Sequence, residues 1–243
     1  MRNYDVEAKS NEGREYQYNY DKIVREIFLA KVDPFIEKRK DARSLEIGSF
    51  DGSMSELILK YVDFLSIVEP SEEMALRVRN RLGKRVEVFV STIEEFASSG
   101  RFDNIFLVHT LEHLDDPVRG LISISNLLTS DGKIFVMVPN ANAVSRQIAT
   151  AMGMLKNPRE VMDSEARQGH LRTYDQHSLK TDLEAANLKI IHSGGVVLKA
   201  LANFQFDIAL SDGLISREYM AAADSVGNFY PDLCGSIFSI CKL

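Results

Sequence analysis

Histidine is scarce in this chain of 243 residues, and three of its five histidines fall in two short polar stretches. His109 and His113 bracket Thr110-Leu111-Glu112, and His170 stands in Gly169-His170-Leu171-Arg172-Thr173-Tyr174. Imidazole titrates near neutrality, so His109, His113 and His170 are the candidate catalytic residues for any step that removes a proton. His109, Glu112 and His113 also stand at i, i+3 and i+4, which share one face if the segment forms a helical turn. Two imidazoles and a carboxylate suit a divalent transition-metal ion, with His170 as a further ligand. Such an ion would lower the pKa of a bound hydroxyl. Three readings therefore stand side by side: a metal set of His109, Glu112, His113 and His170, a plain histidine base, and histidines that only fix loop geometry.

A second constellation lies upstream. Ser44-Leu45-Glu46-Ile47-Gly48-Ser49-Phe50-Asp51-Gly52 reads as a short strand breaking into a glycine-punctuated turn, followed by the apolar-periodic run Met54–Tyr61. Glycine permits positive φ and close approach of backbone to a ligand. About twenty residues on, the apolar run Phe64–Val68 ends in Glu69, where a doubly wound sheet places the acid that accepts from ribose hydroxyls. Turn and acid together point to a nucleoside-containing cofactor.

The turn resembles the first motif of the class I S-adenosylmethionine-dependent methyltransferases, acid-x-Gly-x-Gly-x-Gly. Glu46, Gly48 and Gly52 match, and Phe50 stands where the middle glycine is expected. Phe102–Pro117 is similar to the fourth motif of the same family, with Asp103 entering a strand, then Leu111-Glu112-His113-Leu114, then Asp116-Pro117 opening a helix. The resemblance, to the Leu-Glu-His subgroup, implies S-adenosylmethionine as cofactor. It places Glu46, Gly48, Ser49, Phe50, Gly52, Glu69 and Pro70 around the nucleoside and its glycine turn. His109, Thr110 and Leu111 would lie under the methionine end, and Ser91, Thr92 and Ile93 beside adenine. Ser91-Thr92 replaces the acid often found after the third strand. Metal-assisted O-methyltransferases of the same superfamily use Glu-x-x-Glu-His with a later histidine; His109 here replaces the first Glu, which favours a softer ion than magnesium.

The elements that must position these residues follow from periodicity. Strands are expected at Ser44–Ile47, Phe64–Val68, Val86–Phe89, Asn104–Val108 and Lys133–Val138, with Asp131-Gly132 a turn before the last. Helices are expected at Ser53–Tyr61, Glu72–Leu82, Ile93–Ser98 and Pro117–Leu128. The β-α-β-α alternation argues for an α/β, doubly wound, mainly parallel sheet, and the family resemblance makes it seven-stranded and Rossmann-like. Lys189–His192, ending at Gly194-Gly195, and Ser236–Cys241 would be its antiparallel sixth and seventh strands. Residues 1–40 read as an N-terminal arm and a helix over Ile23–Ile36. Residues 41–243 read as the main domain, with insertions that form a substrate cap at about 140–187 and 203–230, the second irregular. Tyr16, Tyr18 and Tyr20 are read as packing on the sheet edge, with a lid over the cofactor as the alternative. Asn140, Asn142, Ser145, Arg146 and Arg172 are softer candidates for an acceptor pocket, read alternatively as caps and ion pairs.

Composition narrows the function class. A formal net charge of -6 argues against a phosphate-tracking surface, so a small-molecule acceptor is expected and nucleic acid is not. No apolar run approaches the ~20 residues of a membrane span, and a cytoplasmic location is expected, with a homodimer compatible. The two cysteines, Cys234 and Cys241, fall on opposite faces of a strand, which disfavours a disulfide. The expectation is methyl transfer to a small molecule, oxygen ahead of nitrogen because of the histidines. The alternative is a non-catalytic methyltransferase-like binding or regulatory module. A nicotinamide oxidoreductase is a poorer third on glycine spacing.

Overall fold

The computed structural model describes residues 4–6, 19–98 and 100–243. Tyr16, Tyr18 and most of the expected arm lie outside them. Seven strands form one sheet in the order β3-β2-β1-β4-β5-β7-β6. They are β1 (Ser44–Ile47), β2 (Leu65–Val68), β3 (Val86–Phe89), β4 (Phe102–Val108), β5 (Leu128–Pro139), β6 (Lys189–Leu198) and β7 (Cys234–Lys242). β1 to β5 run parallel, and β7 inserts antiparallel between β5 and β6. The central strands β1, β2 and β4 are buried along their whole length, as expected where helices cover both faces of a parallel sheet.

The helices are α1 (Asn19–Val32), α2 (Ser53–Ile58), α3 (Glu72–Leu82), α4 (Pro117–Ser125), α5 (Val144–Ala151), α6 (Asp163–Arg167), α7 (Gln176–Ala185), α8 (Asn203–Ser211) and α9 (Arg217–Gly227). Their starts follow local chemistry. The Ser71 hydroxyl accepts from Met74 N at 3.2 Å to open α3, and Asp116 accepts from Arg119 N at 3.0 Å with Pro117 in the first turn of α4. One apolar layer joins α1, α2, α3 and the late helices to one sheet face through residues such as Phe28, Val24, Phe206, Met220 and Phe238. The other joins α4 and α7 to the opposite face through Leu121, Ile124, Leu179 and Leu183.

Four expectations need correction. No helix covers Ile93–Ser98: a single turn, with Phe96 N bonded to Thr92 O at 3.0 Å, precedes an extended stretch, and Phe96 packs on Phe89 instead. Asp131-Gly132 is a bulge inside β5 rather than a turn before it, because pairing with β4 jumps from Phe102↔Leu128 to Asn104↔Lys133. β6 does not end at Gly194-Gly195 but runs through them to Leu198. A Cβ on Gly194 would lie 2.8 Å from the Phe238 ring, and one on Gly195 2.5 Å from Cys234 Sγ. These glycines admit the side chains of β7 rather than a turn. The fourth correction is to 203–230, which holds α8 and α9. α8 carries apolar residues on both faces, with Phe206 and Ala209 buried but Phe204 and Ile208 exposed, which hides the helical period. Cys234 and Cys241 are buried free thiols.

Candidate active site

The strand order reverses between β1 and β4, and in open α/β sheets ligands bind in the crevice at the carboxyl ends of the strands there. Two loops meet in that crevice. Gly48 leaves β1 at φ +75, and its N–H donates to Val68 O at 2.9 Å. Thr110, leaving β4, donates its hydroxyl to Ile47 O at 2.9 Å. A Cβ on Gly48 would stand 2.8 Å from Thr110 Cγ2, so glycine is what lets the two loops close on each other. Gly52, at φ +79, caps α2. Phe50, in the place of the middle glycine, also has positive φ, at +46. The backbone keeps the shape that a glycine would take, and Phe bears the left-handed strain of about 1–2 kcal/mol.

Glu69 organises this turn. It is 5% exposed; its Oε2 accepts from the N–H groups of Ser49 at 3.0 Å and Phe50 at 2.9 Å, and its Oε1 from Ser71 N at 3.0 Å. Burial raises its pKa, and these backbone bonds oppose the rise. Glu69 is thus tied to the protein's own amides, with lone pairs remaining on Oε1. Residues 4–6 also approach here, since Ser71 Oγ donates to Asp5 at 2.6 Å.

Glu46 is buried at the end of β1, with Oε2 accepting from the Ser55 hydroxyl and Oε1 without a hydrogen-bond partner among the described residues. Burial pushes its carboxyl up to about 8, opposed by the Ser55 bond and by the positive charge of Arg25. Arg25, on α1, is 7% exposed and donates to Ser53 Oγ at 2.9 Å, at the first residue of α2. Its charge also acts on His109, so one guanidinium serves both sides of the crevice. The sequence reading missed Arg25; the available signal was a charged residue flanked by Ile23, Val24 and Phe28 on the buried face of a helix. An unpartnered carboxylate oxygen near a buried guanidinium fits the ammonium and carboxylate of a methionine moiety.

His109 does not share a helical face with Glu112 and His113. It sits at φ +51 before a single 3-10 turn, Leu111–His113, and its Nε2 lies 3.3 Å from Ser236 Oγ on β7. The left-handed backbone breaks the i, i+4 relation, and His109 drops out of the expected four-residue metal set. Burial first, then the charge of Arg25, His170, His113 and Lys199, holds its imidazole well below the usual histidine range. Glu112, His113 and His170 do converge: one ligand atom from each lies within 4.8 Å of the others. His170 arrives from the insertion because Leu171 N donates to Glu112 O at 3.0 Å and the Arg172 guanidinium donates to Leu114 O and Asp115 O. Lys199, also unforeseen, sits near His109 with Nζ 5.3 Å from the Tyr20 ring centre; burial lowers its pKa to about 8.

The remaining residues divide between crevice and scaffold. Leu111 and Ile93 are buried in one apolar layer, Pro70 and Thr92 are half-buried, and the Ser91 hydroxyl turns back onto Thr92 O at 2.9 Å. Tyr20 is buried against Phe206 of α8, with ring centres 5.0 Å apart. Asn140 donates to Asp232 O at 2.7 Å and Cys234 O at 2.8 Å, and Arg146 clamps the insertion through Pro158 O at 2.7 Å and Glu165. Both, like Arg172, hold loops together.

A family model described as a methyltransferase domain matches residues 14–193, well over half the chain. Nodulation protein S from Rhizobium tropici is 28% identical over 89 residues, which span 36% of this chain and 37% of that relative's length. Among solved structures, the N-methyltransferase NodS from Bradyrhizobium japonicum WM9 in complex with S-adenosyl-L-homocysteine superposes with a TM-score of 0.61 at 12% identity, over 98% of this chain and 96% of that one. A possible histamine N-methyltransferase from Thermotoga maritima gives a TM-score of 0.62 at 15% identity, over 98% of each chain. At such identities the structural likeness speaks to the fold, and the family match carries the relationship. The chain belongs to the methyltransferase domain family, and its sheet has the fold of a methyltransferase solved with S-adenosyl-L-homocysteine.

Proposed function

We propose that this enzyme methylates an oxygen of a small-molecule acceptor, with the cofactor held across the β1/β4 crevice. Glu46 Oε1 would take the methionine ammonium and Arg25 its carboxylate, with the ribose against Glu69, Ser49 and Phe50 and the adenine near Ser91, Thr92 and Ile93. When bound, the cofactor supplies an electrophilic methyl group on a sulfonium. The protein's share of the work is then alignment of the acceptor and removal of its proton.

The charge around His109 carries the oxygen assignment. Arg25 and Lys199 act on its buried imidazole, and their positive charge disfavours an ammonium acceptor and stabilises a developing alkoxide or phenolate. Burial first, then this positive charge, keeps His109 neutral near pH 7, the state from which Nε2 can accept a hydroxyl proton. Lys199, just beyond β6, would close the acceptor side with its ammonium over the Tyr20 ring. A nitrogen acceptor is the second reading, favoured by the names of NodS and the possible histamine N-methyltransferase.

Calorimetry with S-adenosylmethionine and its demethylated product tests the cofactor assignment, and no binding at millimolar cofactor would refute it. Turnover with labelled methyl donor on matched hydroxyl and amine acceptors then tests the atom methylated; exclusive label on the amines would move the assignment to nitrogen. His109→Asn keeps a residue that tolerates positive φ. It is expected to lower kcat by about 10²–10⁴-fold and leave cofactor affinity in place.

A further inference from the structure

Glu112 is the oddest buried group in the molecule. It is 1% exposed, and neither carboxylate oxygen has a hydrogen-bond partner among the described residues. A buried carboxylate without partners costs several kcal/mol; burial pushes this carboxyl up to about 8, and either a proton or a bound cation relieves that cost. What faces it is a pair of imidazoles. The rings of His113 and His170 meet edge to face, with centres 4.6 Å apart and planes at 79°, and one nitrogen of each lies within 4.8 Å of a Glu112 oxygen. Two imidazole rings packed this way beside an unsatisfied carboxylate converge on one point.

The convergence is built from far apart in sequence. Glu112 and His113 are adjacent on the 3-10 turn at the β4 exit. His170 comes from beyond α6, held by the Leu171–Glu112 backbone bond at 3.0 Å and by Arg172 on Leu114 O and Asp115 O. These anchors use backbone atoms and Arg172, and leave the three candidate ligand side chains out of the loop's own bonds.

We propose that Glu112, His113 and His170 bind one divalent transition-metal ion. The donor set of two nitrogens and one carboxylate suits zinc, cobalt, iron or nickel, and the hard, octahedral preference of magnesium fits it poorly. Three protein ligands leave at least one coordination position open, as in catalytic rather than structural sites. That position adjoins His109, whose imidazole feels both ligand histidines. The acceptor oxygen, if the oxygen reading above holds, is the natural exogenous ligand: coordination would lower its pKa and His109 would receive its proton. The ion also ties the insertion carrying His170 to the strand exit, so it sets the acceptor pocket as well as its chemistry.

Metal binding is tested without reference to turnover. Full-length protein is stripped with chelator and titrated with cobalt(II), followed by visible absorption, and with zinc, followed by thermal unfolding. One equivalent of cobalt with d–d bands, displaced by zinc, and a Tm that climbs with zinc concentration are expected. Glu112→Gln and His170→Ala should each abolish the bands. Absence of stoichiometric binding by wild-type protein overturns the proposal without any need for variants. Bands that persist in both variants overturn it too, because the ion is then elsewhere. Binding of S-adenosylhomocysteine, measured on the same stripped sample, separates the two ideas: cofactor binding without metal binding sinks this inference alone, and metal binding without cofactor binding sinks the cofactor assignment instead.

Discussion

Glu46 concentrates the electrostatics of the crevice in one side chain. With its carboxyl pushed up to about 8, it is protonated in the folded protein at neutral pH and ionised in the unfolded chain. A carboxyl whose folded pKa lies above its unfolded one contributes stability at low pH that is lost as pH rises through the folded value. His109 and His170 have the opposite sign, since their lowered values make stability rise as pH climbs toward the ordinary histidine range of 6.5. Above that range the histidines are neutral in both states, and the raised carboxyls remain. Between that range and about pH 8, where Lys199 begins to act in the opposite sense, the Tm is therefore expected to fall, and Glu46→Gln should lessen that slope in a thermal melt series, with Glu112 supplying the remainder. An unchanged slope would mean that Glu46 is ionised in the free protein. The cofactor ammonium should ionise Glu46 on binding, so calorimetry in buffers of different ionisation enthalpy should register proton release near pH 7 that Glu46→Gln removes.

Among the elements, β6 is where local signals misled and packing decided. Gly194-Gly195 has the look of a chain reversal, yet both residues lie in a continuous strand against β7. A Cβ on Gly195 would stand 2.5 Å from Cys234 Sγ and 2.7 Å from Pro231 O. Gly195→Ala would push β6 away from the turn that precedes β7, and overpacking of this kind costs about 1–3 kcal/mol. A lower urea midpoint with an unchanged m-value is the expected outcome; a midpoint equal to wild type would show that the pair has slack. The expected strands β1 and β3 and the helix α3 coincide with the observed elements, because short segments of alternating apolar residues and a Ser71 cap with acids behind it are local signals. The bulge in β5 and the paired helices α8 and α9 depend on what the chain packs against, and local signals do not carry that.

At the scale of the molecule, the N-terminal helix and the late helices form one cap on the sheet. Tyr20 N donates to Asp207 on α8 at 2.9 Å, and Asp224 on α9 accepts from Val197 N at 3.0 Å and pairs with Lys31 of α1 at 3.0 Å. Asp224 thus holds together a helix from each end of the chain and the strand that leads to Lys199. Val197 has φ +56, unusual for a β-branched residue, and the Asp224 bond fixes it there. Asp224→Ala leaves a buried N–H and a half-buried ammonium without that carboxylate, at a cost of roughly 1–3 kcal/mol. Hydrogen exchange should show faster exchange at Val197 first, ahead of the central strands; uniform protection across β6 would refute this link. Among the described residues no helix is long and apolar enough to cross a membrane.

The sequence by itself determined the α/β class, the central parallel strands and the glycine turn with its acids, because burial on both faces, helix caps and positive-φ glycines leave marks within a few residues of one another. The likeness of Glu46–Gly52 and Phe102–Pro117 to family motifs, resting on residue spacing alone, extended this to the cofactor. Only the tertiary structure decided which histidines meet. Helical spacing grouped His109 with Glu112 and His113, but a left-handed residue at 109 turns that side chain toward β7 and leaves the third position to His170, more than fifty residues on. Arg25 on α1 and Lys199 just past β6 enter the site in the same way. Convergence in space depends on how the chain crosses over the sheet, and no local spacing encodes a crossing.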